Sequence, residues 1–108
     1  MCNEDFRQQL LARQPRQQFD REKYEKLIKE QRGDNIVDLM WCVEEFAELS
    51  QAVSKVVRGR TDIINVYEEI ADVLISIGYI KDILGLSDDL IISAIDIKIN
   101  KGDGQNAE

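Results

Sequence analysis

Between Gly33 and Gly85 the chain carries two long stretches in which apolar residues recur every third or fourth position, broken only around Gly59. That spacing is the period of an amphipathic α-helix. Asp34 or Asn35 supplies an N-cap for the first stretch, which runs to about Arg58 before Gly59 stops it. Its broad apolar face gathers Ile36, Leu39, Met40, Val43, Phe46 and Val53. Thr61 or Asp62 caps the second stretch, which ends at Leu84 before Gly85. Its later half, from Val73 to Ile83, is apolar nearly all round, so that helix has to be covered on every side.

The flanking segments are weaker in pattern. Residues 1–16 are polar and Gln-rich, and read as an arm or short helix ending near Pro15. From there to Arg32, Phe19, Tyr24, Leu27 and Ile28 recur at helical spacing, and Gly33 ends the run. After Gly85, Ser87, Asp88 and Asp89 open a further element in which Ile95, Ile97 and Ile99 alternate with polar residues, as in a strand. A Ser cap followed by two acids suits a helix start better, and no other segment offers a partner strand. Residues 17–101 thus form one helical domain and residues 102–108 a polar tail. The expected fold is all-α, a bundle of four to five helices in which neighbours run antiparallel. A chain of 108 residues buries a modest share of its surface, so the bundle is expected to be completed by oligomerisation.

Composition removes several chemistries. The chain has no His, which excludes Ser-His-Asp catalysis, His-based zinc sites and the Glu-x-x-His di-iron pattern. A net charge of −7 argues against nucleic acid or an anionic membrane as the main partner. Cys2 and Cys42 do not make a disulfide framework, and Cys42 reads as a small buried hydrophobe. The N-terminus lacks the apolar run of a signal peptide, and the longest apolar stretches are interrupted by charge. A reduced, cytoplasmic setting is the simplest expectation.

The informative feature is a set of acids within the two apolar stretches. Glu44, Glu45 and Glu48 lie on the first, and Glu68, Glu69 and Asp72 on the second. With roughly 3.6 residues per turn, Glu45 and Glu48 are neighbours one turn apart, as are Glu69 and Asp72. On the first helix the three acids abut the apolar face instead of standing in the middle of the solvent side. Antiparallel packing with these arcs facing would bring four or more carboxylates together. Like charges that close repel and lose solvation unless a cation offsets them. Oxygen ligands alone suit Mg²⁺ or Mn²⁺ better than zinc, and magnesium commonly binds substrate phosphates as well. Against this stands the frequency of such pairs on solvated helices; Glu22 and Glu25 have the same spacing.

Glu44-Glu45-Phe46-Ala47-Glu48, followed by Glu69-Ile70-Ala71-Asp72, resembles the Glu-Glu-x-x-Glu … Glu-x-x-Asp signature of the MazG-like nucleoside triphosphate pyrophosphohydrolases. The surrounding words VEEFAELSQA and YEEIADVLI share the likeness, which extends from about residue 20 to residue 101. The resemblance implies an all-α fold, a homodimer or homotetramer, and Mg²⁺-dependent cleavage of a (deoxy)nucleoside triphosphate between its α and β phosphates. It also implies Glu45, Glu48, Glu69 and Asp72 as metal ligands, with Glu44 holding a further metal or orienting the attacking water. Two other readings stay open: a metal- or nucleotide-binding module without turnover, and a structural oligomeric bundle.

Further residues carry paired readings. Lys98 and Lys101 are one turn apart on the last element, with Lys98 on its expected inward face. They either contact phosphate or, for Lys98, snorkel past apolar neighbours. Lys55, Arg58 and Arg60 surround the turn after the first long helix, either as phosphate-binding cations or as a solvated turn. Trp41 lies on the carboxylate side of that helix, where it would stack on a nucleobase or pack against the preceding helix or a second subunit. Asn65 shares the arc of Glu69 and Asp72, as a reader of a base edge or as an ordinary boundary residue.

Overall fold

A computed structural model describes residues 4–13, 19–30 and 33–101. Among them the chain is entirely helical: α1 (Glu4–Ala12), α2 (Arg21–Glu30), α3 (Asn35–Val57), α4 (Ile63–Leu84) and α5 (Asp88–Ile99). The all-α expectation holds, and the alternating isoleucines of residues 95–99 lie on a helix. α2 begins at Arg21, later than the start near Pro15 expected from the sequence, while the expected end at Arg32 and the polar tail fall outside the described residues.

Each long helix begins where an aspartate can close its first turn. Asp34 accepts hydrogen bonds from the backbone N–H groups of Ile36 and Val37 at 2.9 and 3.2 Å. Asp62 does the same for Ile64 at 3.1 Å, and Ser87 accepts from Leu90 at 3.3 Å at the start of α5. Such caps satisfy donors that the helix leaves unpaired. Gly59 and Gly85 both adopt left-handed backbone, with φ of 71° and 68°, a conformation that costs glycine little. After Gly85 the N–H of Leu86 returns to the carbonyl of Lys81 at 2.9 Å, closing α4.

α3 and α4 form an antiparallel hairpin, and the other contacts are made to α4. α2 crosses α4 at Gly78, where an added methyl group would meet the Tyr24 hydroxyl and lie 2.9 Å from Ile28 Cδ1. α1 is tied to the start of α4 by an Arg7–Asp62 ion pair. Among the described residues α5 packs on no other helix, and an ion pair from Lys81 to Asp88, at 2.5 Å, joins its first residue to α4. Among the described residues the buried apolar side chains are Ile28, Cys42 and Ala52 alone. None of these helices is long and apolar enough to cross a membrane.

Candidate metal centre

Contacts between α3 and α4 fall in reversed order along the two helices. Trp41 meets Tyr79, the Cys42 thiol donates to the Ser76 carbonyl at 3.5 Å, and Glu45 shares a hydrogen bond with Asp72. One turn further along α3, Glu48 meets Glu69. Oxygens of Glu45, Glu48 and Glu69 lie within 4.8 Å of one another. The antiparallel register therefore gathers all four acids of the two i, i+3 pairs. Glu45 is buried, Glu69 and Asp72 are half-buried and Glu48 is exposed, so the cluster opens to solvent at one edge.

The electrostatics are those of an acid cluster short of positive charge. Burial, and then the charges of Glu48, Asp72 and Glu69, push the Glu45 carboxyl from 4.5 up to about 7. Burial raises Glu69 as well, with Asp72 and Glu48 adding to it. Asp72 is raised by burial and by Glu68 and Glu48, while its hydrogen bond with Glu45 partly offsets the shift. Oε1 of Glu45 and Oε1 of Glu69 are buried without a hydrogen-bond partner. A buried carboxylate oxygen in that state is costly. Two such oxygens, from facing helices and beside two further acids, fit a hard divalent cation with oxygen ligands. With no nitrogen or sulfur donor in the set, it suits hard cations such as Mg²⁺, Ca²⁺ or Mn²⁺ and does not single out one of them.

A cleft of about 230 Å³ adjoins the acids, lined by Glu48, Gln51, Ala52, Lys55, Asn65 and Glu69. Asn65 is buried in its wall, on the arc that the helical period gives it. Lys55, half-buried, belongs to this wall too. Gln51 and Tyr79 escaped the sequence reading. Both follow from the helical period: Gln51 and Lys55 lie three and seven residues after Glu48, and Tyr79 lies seven after Asp72.

Trp41 is 40% exposed, with its ring centroid 5.9 Å from that of Tyr79 and the planes at 74°. Its packing partner is thus on α4, not on the preceding helix, and one of its edges is open. Glu44 is exposed on the next arc of α3. Lys98 and Lys101 are exposed at the end of α5. The inward face expected for Lys98 does not form among the described residues, because α5 packs on none of the other helices there.

A larger hollow of about 440 Å³ lies between α2 and the end of α4. Its cations are already matched, Arg21 with Glu25, Lys29 with Asp82 and Lys81 with Asp88. It therefore offers no net charge to an anionic ligand, and the acid cluster is the better candidate for chemistry. No family model, characterised protein or solved structure matches this chain.

Proposed function

We propose that the chain is a Mg²⁺-dependent nucleotide pyrophosphohydrolase, with Mn²⁺ as an alternative ion. The reaction is hydrolysis of a (deoxy)nucleoside triphosphate to the monophosphate and pyrophosphate, in a cytoplasmic setting. The observation that carries this reading is the convergence of Glu45, Glu48, Glu69 and Asp72, with two buried carboxylate oxygens lacking any partner. The likeness of these residues to the MazG-like signature supplies the substrate class.

Glu45, Glu48, Glu69 and Asp72 hold the metal. A divalent cation bound there supplies positive charge for the phosphate oxygens and acidifies water. Glu44 orients the water that adds to the α-phosphorus as the bond to the β-phosphate breaks. Lys55, on the cleft wall, offers a cation to the phosphates, and Asn65 offers an amide to the bound nucleotide. The open edge of Trp41, backed by Tyr79, provides a surface on which a base can stack. The active unit is a homodimer or homotetramer, and Lys98 and Lys101 serve as phosphate contacts presented from a second copy.

The test is product analysis with a panel of nucleoside triphosphates and Mg²⁺. Pyrophosphate and monophosphate in equal amounts are expected, with none formed when the metal is chelated. Nucleotide binding without turnover would leave a metal- and nucleotide-binding module. Orthophosphate as the only inorganic product would move cleavage to the β–γ bond. Absence of both binding and turnover would leave a structural helical assembly.

A further inference from the structure

The register that joins Glu45 to Asp72 continues in both directions along the hairpin. Toward the turn, Ala52 and Asn65 line the cleft from opposite helices. Lys55 follows three residues after Ala52 and Asp62 three before Asn65, so the two stand at the same level. Away from the turn, Cys42 meets Ser76 and Trp41 meets Tyr79. One face of the hairpin thus runs from cation through amide and acid to aromatic.

Positive charge is gathered at one end of that line. The cations between Asp34 and Gly85 are Lys55, Arg58, Arg60 and Lys81. The first three lie at the turn, whereas Lys81 is paired with Asp88 at the other end. α1 brings a further cation to the turn. Nη2 of Arg7 meets Oδ2 of Asp62, while Oδ1 of the same carboxylate accepts from Ile64 in capping α4. The residue that starts α4 therefore also fixes the arginine. The Arg7 side chain is 28% exposed, so it is held against the protein and still open to a ligand. A guanidinium carries five N–H donors in a planar fork, more than one carboxylate oxygen takes, and phosphate matches that fork. From Glu69 to Asp62 is a rise of about 10 Å along the helix axis, on the scale of a triphosphate and the group that grips its end.

A cation at the acids offsets the phosphates next to it, and the carboxylates repel any phosphate beyond its reach. Toward Trp41 the face offers the uncharged Cys42, Ser76 and Tyr79, and then a further acid, Asp38. Toward the turn it offers Lys55 and Arg7. Oε1 of Glu45, on a side chain only 8% exposed and with no hydrogen-bond partner, points to a ligand at the acid level between the two ends.

We infer that the nucleotide lies along this face with its base at Trp41 and its phosphate tail toward the turn, where Arg7, held by Asp62, grips the terminal phosphate. This rests on the pyrophosphohydrolase reading and adds to it a direction and a preference for triphosphates over shorter phosphate chains. Arg7 lies on α1, outside the part of the chain that resembles the MazG-like proteins.

The test uses the full chain with Mg²⁺ and a nucleoside triphosphate analogue whose α–β bridge is a methylene, so that binding is read without turnover. Trp41, the single tryptophan, reports the base end by its fluorescence, and titration calorimetry reports affinity. The analogue and the corresponding monophosphate should quench Trp41 alike, and inorganic tripolyphosphate should bind without quenching it. Arg7→Ala should weaken the analogue and tripolyphosphate by about tenfold or more, the effect of losing a hydrogen bond between charged groups. The monophosphate should weaken by less than about twofold on the same basis. Arg7→Lys, which keeps the charge without the fork, should fall between wild type and Arg7→Ala. Asp62→Asn keeps a capping side chain but frees the arginine, and should weaken the analogue by a smaller factor than Arg7→Ala. Equal weakening of monophosphate and analogue would mean that Arg7 only docks α1 and would overturn the inference. Unchanged affinity for the analogue, or quenching by tripolyphosphate as deep as by nucleotide, would do the same. Pyrophosphate release from natural triphosphates separates the two failures. An Arg7→Ala protein that releases pyrophosphate with the wild-type KM refutes the arginine's role alone, and a wild type that binds no nucleotide refutes both readings.

Discussion

The inner seam of the α3–α4 hairpin and its outer surface are built from opposite kinds of residue. Cys42, Glu45, Ala52, Asn65 and Ser76, small or polar, are buried. Met40, Val57, Ile63 and Leu74, large and apolar, face outward, with Val57 81% exposed. In an ordinary two-helix unit the assignment is reversed, because burying large apolar side chains is what stabilises the pair. The contrast separates two tasks. The inner seam gathers chemical groups at the expense of stability, and the outer surface carries large apolar side chains.

The strongest way to break this contrast is to remove one of the proposed metal ligands. Glu45→Gln or Asp72→Asn should lower pyrophosphate release by more than the roughly 10–100-fold typical of losing an outer-shell partner, with helical circular dichroism retained. Full activity in either variant would return the inner seam to a merely structural role.

The pH dependence of stability tests the same seam without activity. Between about pH 4.5 and pH 7 the folded chain keeps a proton on Glu45 that the unfolded chain has released. Unfolding then releases a proton, so this contribution is complete at low pH and is lost as pH rises through about 7. Its full size is on the order of 3 kcal/mol. Calorimetry of the metal-free protein should show a midpoint that falls from pH 5 to pH 8, and added Mg²⁺ should restore it at the upper end. Glu45→Gln should flatten the profile.

Two smaller effects sharpen the contrast. At Gly78 the outer side of α4 is already covered, by α2, and Gly78→Ala should cost about 1–3 kcal/mol through overpacking. Urea titration measures it; an unchanged midpoint would mean that α2 does not press on α4 there. The Ser76 hydroxyl is buried with no oxygen or nitrogen partner, beside the Cys42 thiol. Ser76→Ala should therefore be neutral or stabilise by up to about 1 kcal/mol in the same titration.

Much of the hairpin was legible because its signals are local. Asp34, Asp62 and Gly85 mark boundaries through chemistry that acts within one turn. The arcs of the acids follow from the helical period. What that period leaves open is the register, since sliding one helix by a turn preserves every arc while pairing different residues. The start of α2 shows a different gap. Asp20 accepts from the backbone of Lys23 at 2.9 Å and caps the helix, whereas Pro15 and the apolar spacing suggested an earlier start. Lys98 marks the third gap. An inward face presumes something to face, and α5 finds no covering helix among the described residues.

The turn between α3 and α4 is short, closed by a hydrogen bond from the Arg60 N–H to the Lys55 carbonyl at 2.8 Å and by the left-handed Gly59. All four clustered acids sit on the two arms of that single hairpin. Contacts so near in sequence form early, since little loop entropy opposes them. A newly synthesised chain can therefore assemble its carboxylates before meeting any other polypeptide. Under the proposed function, a divalent ion captured at that stage would contribute its binding energy to folding itself.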